Sequence, residues 1–205
     1  MIACCLNLTD AVDRIGATFD SDRQAGELNA WGNSYPAEEL PFGGQVLVGG
    51  VRYALVRKSP GGPSRPDHIE ALGQRLAGDP LGRPVEALAL LAAGEMGPQE
   101  LSVRVHLASG GDDIGPAIGR GSGPGIVVRS ATIPGWLIRP EAPTSPDQLR
   151  CRHLHYPGDY GLALLVPVLW SRVLPLPGLP VTAIELAPSP LVHVFAISLL
   201  AGVGS

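Results

Sequence analysis

Charge is scarce in this chain. Asp, Glu, Lys and Arg make up 17% of its 205 residues, and the formal net charge is −4 with a sequence pI near 5.7. The basic residues are arginines apart from one lysine, Lys58, and they form no cluster. An acidic chain without a basic patch excludes electrostatic binding of nucleic acid or of an anionic membrane. The arginine bias looks like the imprint of a GC-rich genome and carries little functional weight. Cysteine is sparse as well. Cys4 and Cys5 are neighbours, so Cys151 is the only distant partner, and free thiols in a reducing compartment are expected. The opening Met1-Ile-Ala-Cys-Cys-Leu-Asn7 has no basic segment followed by an apolar one, as a secretory signal would. The longest apolar run, Leu162 to Trp170, is too short to span a bilayer and contains Pro167. The expected location is the cytoplasm.

Gly and Pro, by contrast, are abundant, at 27 and 21 residues. Together they are about 23% of the chain, near the range that warns of low complexity. A hydrophobic fraction of 45% and a mean hydropathy of +0.19 nevertheless exclude disorder. The chain can bury a core, and its Gly and Pro must punctuate many short elements. That points to an all-β fold, a single-domain jelly-roll-like barrel of about ten strands over residues 1–205.

Strand-like segments recur between turn signals. They are Ile2 to Leu8, Ala30 to Leu40, Gly50 to Val56, His68 to Leu76, Val85 to Ala92, Leu101 to Leu107, Ile126 to Ala131, Arg150 to Tyr156, Leu162 to Trp170, Val181 to Leu186 and Leu191 to Leu200. The clearest is Leu101-Ser-Val-Arg-Val-His-Leu107, which alternates apolar and polar residues and so predicts a half-buried strand. The stretch Ser59 to Pro66, the glycine-rich Gly110 to Gly125 and the proline-rich Pro134 to Asp147 read as loops.

Several chemistries find weak or no support. His153 and His155, two apart on a strand, would point the same way and could share a metal. Zinc would need further ligands that no spacing supplies, so no metal is expected and the pair reads as surface or cavity-lining histidines. Gly119 to Gly125 resembles a phosphate loop but precedes a strand and contains Pro124, so it offers no helix N-terminus. There is no Gly-x-Ser-x-Gly elbow. Cys151 has His153 near it in sequence, but that spacing sets no catalytic geometry. Glu38 and Glu39 face opposite ways on a strand, so only one can point inward. Two polar runs stand out in an apolar pattern, Asn33 to Pro41 and Asp67 to Gln74. On the last strand His193 shares a face with Phe195, Ile197 and Leu199, either as a satisfied core residue or as an acid–base group.

The segments Asn33-Ser-Tyr-Pro-Ala-Glu-Glu-Leu-Pro41, Gly50-Val-Arg-Tyr53, Pro66-Asp-His-Ile-Glu-Ala-Leu-Gly-Gln74, Val181-Thr-Ala-Ile-Glu-Leu186 and Leu191-Val-His-Val-Phe-Ala-Ile-Ser198 come in that order. Together they resemble a jelly-roll domain appended to bacterial glycoside hydrolases. The match runs through nearly the whole chain, although each motif alone is weak. The chain departs from the pattern at His68, where the appended domains carry Asn, and at Pro134-Gly-Trp136, where they carry Ser-Asp-Trp. It is expected to stand alone, without a glycosidase domain. In that form it is similar to the stand-alone β-barrel spiroacetal cyclases of macrolide polyketide pathways.

That resemblance implies a cofactor-independent cyclase acting on a dihydroxyketone polyketide macrolide. Spiroacetal closure joins a ketone to two hydroxyls and loses one water. It needs an acid, a base, a dry cavity and a fixed substrate conformation. The candidate carboxyls are Glu38 and Asp67, with His193 as proton relay. Tyr35, Gln74, His155 and Trp136 are the candidates for binding substrate. For each a plainer alternative stands: a solvent-facing residue for Glu38, a turn residue for Asp67, backbone bonding for Tyr35 and Gln74, and core packing for Trp136. Read without chemistry, the same resemblance implies a non-catalytic module binding carbohydrate or a small molecule. Another cyclase, isomerase or dehydratase of such a pathway is a third reading. The sequence leaves the oligomeric state open.

Overall fold

The computed structural model describes residues 2–59, 62–108, 125–158 and 165–202. Among these described residues fourteen strands run in chain order: β1 (Ile2–Cys5), β2 (Ala17–Thr18), β3 (Tyr35–Pro36), β4 (Gln45–Val48), β5 (Val51–Ala54), β6 (Ile69–Ala71), β7 (Arg75–Ala77), β8 (Pro84–Gly94), β9 (Gln99–Leu107), β10 (Ile126–Ile133), β11 (Leu137–Ile138), β12 (Gln148–Arg150), β13 (Val166–Leu186) and β14 (Ser189–Ala201). Ten of them form one sheet with the main order β1-β14-β8-β13-β9-β10, and the neighbours along this path are antiparallel. The all-β expectation holds. Strands from both ends of the chain interleave in this sheet.

The sheet has an apolar layer on each face, which explains why β8 is a nearly unbroken apolar run rather than an alternating one. Leu88, Leu90 and Ala92 enter one core, with Val103, Val105 and Ile184. Ala87, Ala89, Leu91 and Ala93 enter the other, with Tyr35, Tyr53, Trp136 and Phe195. β9 buries Leu101, Val103, Val105 and Leu107 and turns Ser102, Arg104 and His106 outward, as its alternation predicts.

Four strand expectations need correction. His68 to Leu76 is not one strand but divides at a turn into β6, paired with β14, and β7, paired with β13. Residues 166–170 and 181–186 belong to one 21-residue strand, β13, rather than to two. Pro175 borders and Pro177 lies within its irregularity between Pro175 and Leu179, an interruption of the ladder of the kind to which proline inside a sheet is confined. Ala30 to Leu40 is not a long strand. It contributes only β3 and then a 3-10 turn at Ala37–Glu39, because its polar side chains reach other segments, Ser34 to Thr18, Glu38 to Asp20 and Glu39 to Arg152, instead of alternating against a core. Beyond β12 the segment 151–156 is irregular, joined to the rest by the Ser34–His155 bridge. The glycine-rich 110–124 and residues 162–164 lie outside the described residues. No helix among the described residues is long and apolar enough to cross a membrane.

Candidate active site

A line of buried polar groups runs through the second core to a pocket. Its anchor is Lys58, whose ammonium group donates to the Asp67 carboxylate and to the carbonyls of Ala17 and Arg65. Both residues are buried, so each supplies the counter-charge that keeps the other there. Asp67 also accepts the backbone N–H groups of Gly16 at 2.9 Å and Ala17 at 3.0 Å. Gly16 is required here: a Cβ would lie 2.5 Å from His68 Nδ1 and 2.7 Å from the Phe195 ring.

His68 follows. Its Nδ1 lies 3.1 Å from Asp67 Oδ1, and its Nε2 lies 3.0 Å from His193 Nδ1. Its ring stacks on Phe195 at 4.8 Å, and Phe195 meets Tyr35 edge-on at 5.3 Å, so packing holds the imidazole's plane. An ionised carboxylate only accepts hydrogen bonds. The His68 Nδ1–H therefore donates to Asp67, and in the neutral ring Nε2 is left to accept from the His193 Nδ1–H. His193 must then present a lone pair at Nε2.

That Nε2 is buried and has no hydrogen-bond partner among the described residues. Glu95 Oε2 is 3.7 Å away, too far to bond. Burial, the neighbouring His68 and then Arg14 push the His193 pKa down to about 3, so the ring is neutral at physiological pH. Glu95 moves the other way: burial, and then the Glu70 carboxylate, raise its pKa. Opposite shifts on two facing groups separate an acid from a base.

Both groups line a pocket of about 410 Å³ with Arg14, Glu27, Asn29 and Glu70. Arg14 Nε donates to Glu70 at 2.6 Å. Glu95 follows β8 in a tight turn where Met96 and Gly97 take φ of 58° and 108°, and the turn aims its carboxyl back over β14. Asn29 and Glu95 also line a second pocket of about 200 Å³ beside Trp31, Met96, Trp136 and Leu137. The two pockets thus adjoin, one polar and one largely apolar.

The structure brings together two of the three expected catalytic residues, Asp67 and His193, with His68 between them. The third, Glu38, does not join them. It lies in the exposed 3-10 turn, where its carboxylate accepts the Asp20 N–H at 2.8 Å. Among the expected substrate contacts, Trp136 borders the second pocket. Tyr35 is fully buried and donates its hydroxyl to the Val168 carbonyl at 2.9 Å. It is a core residue, and burial raises its pKa well above that of a free phenol. Gln74 donates to Asp13 and to the Glu70 carbonyl and accepts from Leu72 N–H, so it pins the β6–β7 turn. The expected common face of His193, Phe195, Ile197 and Leu199 is broken. A bulge between Val194 and Ala196 reverses the alternation and sends Ile197 and Leu199 into the opposite core. Sequence reasoning passed over Lys58 and Glu95. The only lysine of the chain and a carboxylate inside a Gly-x-x-Gly-Pro turn were the available signals.

A second polar cluster lies apart from this pocket. His155, Asp20 and His153 converge there, with Glu39 and Thr18 behind the two rings. Cys151 nearby is buried, which pushes its thiol far up and leaves it inert.

A two-faced antiparallel sheet that brings His193 and Glu95 to one pocket defines an all-β protein with a candidate acid–base site. Residues 4–119, more than half of the chain, match the AziU2-like beta-sandwich domain, and the chain belongs to that family. The matched part holds Lys58, Asp67, His68 and Glu95, while His193 comes from outside it. No curated protein matches the chain.

Proposed function

We propose that the chain is a biosynthetic cyclase that closes a spiroacetal on a dihydroxyketone polyketide by acid–base dehydration. The observation that carries this reading is the unpartnered His193 Nε2, backed by Lys58, Asp67 and His68 and facing Glu95 across the pocket. Membership of the AziU2-like family and the ordered sequence resemblance support it.

One substrate hydroxyl adds to the ketone to give a hemiacetal. Glu95, in its protonated form, gives its proton to the hemiacetal hydroxyl oxygen, and water leaves. The second hydroxyl attacks the oxocarbenium carbon as His193 Nε2 takes its proton. The atoms balance as dihydroxyketone to spiroacetal plus one water. The products on the protein are an imidazolium and a carboxylate 3.7 Å apart, so transfer of one proton between them restores the starting state. His68 and Asp67 are positioning residues that fix the His193 ring and its tautomer. The paired pockets suit an amphiphilic substrate, its oxygens against Arg14 and Glu70 and its hydrocarbon against Trp136 and Leu137. The pocket is more polar than the dry cavity expected from the chemistry, so positioning carries more of the rate here than desolvation.

The test is incubation of an unspirocyclised dihydroxyketone macrolide with the purified protein, followed by mass spectrometry and NMR. Accelerated loss of one water to a single stereoisomer supports the reading. Tight binding without turnover supports the second one, a carbohydrate- or small-molecule-binding module. The exposed Trp31 at the rim of the adjoining pocket favours that second reading, since a sugar ring can stack there.

A further inference from the structure

We infer that Asp20, His153 and His155 form a binding site for a divalent transition metal of the zinc class. One ligand atom from each residue lies within 4.8 Å of the other two. His153 Nε2 and His155 Nε2 are 3.3 Å apart, and His155 Nε2 is 3.2 Å from Asp20 Oδ1. Two imidazole nitrogens bound tetrahedrally to one ion at 2.0–2.1 Å stand about 3.3–3.4 Å apart. The three groups are thus spaced as ligands of one ion.

The far side of each ring is also arranged for this. His153 Nδ1 lies 2.9 Å from Glu39 Oε1, and His155 Nδ1 lies 3.1 Å from Thr18 Oγ1. Glu39 is itself fixed by the N–H and guanidinium of Arg152. The Glu39 carboxylate, which when ionised can only accept, sets the tautomer that leaves His153 Nε2 free to ligate, and Thr18 Oγ1 accepting from the His155 Nδ1–H leaves the second Nε2 free as well. Two such lone pairs facing each other beside a carboxylate repel unless a cation lies between them.

The scaffold holds the cluster from three directions. His155 is pinned by paired backbone bonds with Ser34, both 3.0 Å. Asp20 opens a 3-10 turn and shares its carboxylate with Arg23, a hydrogen bond of the kind that ligating carboxylates commonly carry. Asp20 and His153 are exposed, so an ion enters from solvent and water completes its shell. No residue of this triad lines the pocket at His193, so the inference stands independently of the cyclase reading.

The alternative occupant is a proton shared by the two imidazoles, and metal titration separates the two. The full chain, stripped with EDTA, is titrated with Zn²⁺ by calorimetry and with Co²⁺ by visible absorption. One equivalent of each ion and the intense d–d bands of tetrahedral Co²⁺ are expected. His153→Gln and Asp20→Asn should abolish stoichiometric uptake with an unchanged far-UV spectrum. Glu39→Gln should weaken uptake about 10–100-fold, as loss of an outer-shell partner does. His106→Gln, on another strand, should leave it unaltered. Absence of stoichiometric uptake by the native chain, or equal uptake by His153→Gln, would overturn the inference.

Discussion

His68 Nε2 and His193 Nδ1 face each other at 3.0 Å, and this contact fixes the tautomers of both rings. Because Asp67 can only accept, every donor along Lys58, Asp67, His68 and His193 has a set direction. The order ends in a lone pair at the pocket wall. The same order makes the buried charge at its root a matter of stability as well as chemistry.

Lys58→Met should therefore destabilise the fold strongly. It leaves the Asp67 carboxylate buried without its cation, at a cost of about 3–5 kcal/mol. Urea unfolding measures this directly, and a loss below about 1 kcal/mol, the level of a surface ion pair, would contradict the buried-pair assignment.

The depressed His193 pKa carries its own pH signature. Between about 3 and 6.5 the unfolded chain binds a proton at this residue that the folded chain does not. Its contribution to stability is thus complete above 6.5 and falls as pH drops toward 3, by up to about 1.4 kcal/mol per pH unit. Glu95, with its raised pKa, acts oppositely and only at pH above the ordinary carboxyl range, where its contribution is lost as pH rises. Urea midpoints between pH 4.5 and 7.5 should show a steeper acid limb for the native chain than for His193→Gln. Parallel limbs would contradict a buried neutral imidazole.

Glu70→Gln is expected to shift the pH–rate profile of cyclisation. Glu70 raises the Glu95 pKa, so its removal lets Glu95 ionise at lower pH. The limb on which activity falls with rising pH should move to lower pH, most clearly in kcat. An unmoved limb would show that Glu95 is not the acid.

Tyr35→Phe separates core from site. It removes one buried bond and leaves the Val168 carbonyl without that partner, costing about 1–3 kcal/mol. Turnover by the folded variant should be unchanged. A large fall in kcat at equal folded fraction would return Tyr35 to the substrate.

Much of the sheet was legible because burial follows periodicity. Leu101 to Leu107 alternates and forms β9, and Val85 to Ala92 is continuous and forms the core of β8, buried on both faces. Asp67 stood out at the head of a polar run, and His193 as a polar residue on an apolar strand. What the sequence hid depends on long-range contacts. The bulge at Phe195 has no local marker, and it overturned the expected face of His193. Glu38 was a candidate on the assumption of a strand from which it or Glu39 faces inward, but the chain coils into a 3-10 turn there. Lys58 and Glu95 reach the site from loops, where side-chain direction has no period to read. His153 and His155 do converge, although on an irregular segment rather than on a strand. Asp20, the third member of that cluster, lies more than 130 positions away along the chain.

The most direct measurement compares single-turnover rates of spiroacetal closure by the native chain, Glu95→Gln and Glu38→Gln. Glu95 stands at the pocket with His193, whereas Glu38 is held against Asp20 in an exposed turn. Loss of the general acid should slow Glu95→Gln by about 10²–10⁴-fold, with Glu38→Gln close to the native rate. A native rate for Glu95→Gln, or a collapse confined to Glu38→Gln, would contradict the placement of the chemistry at His193.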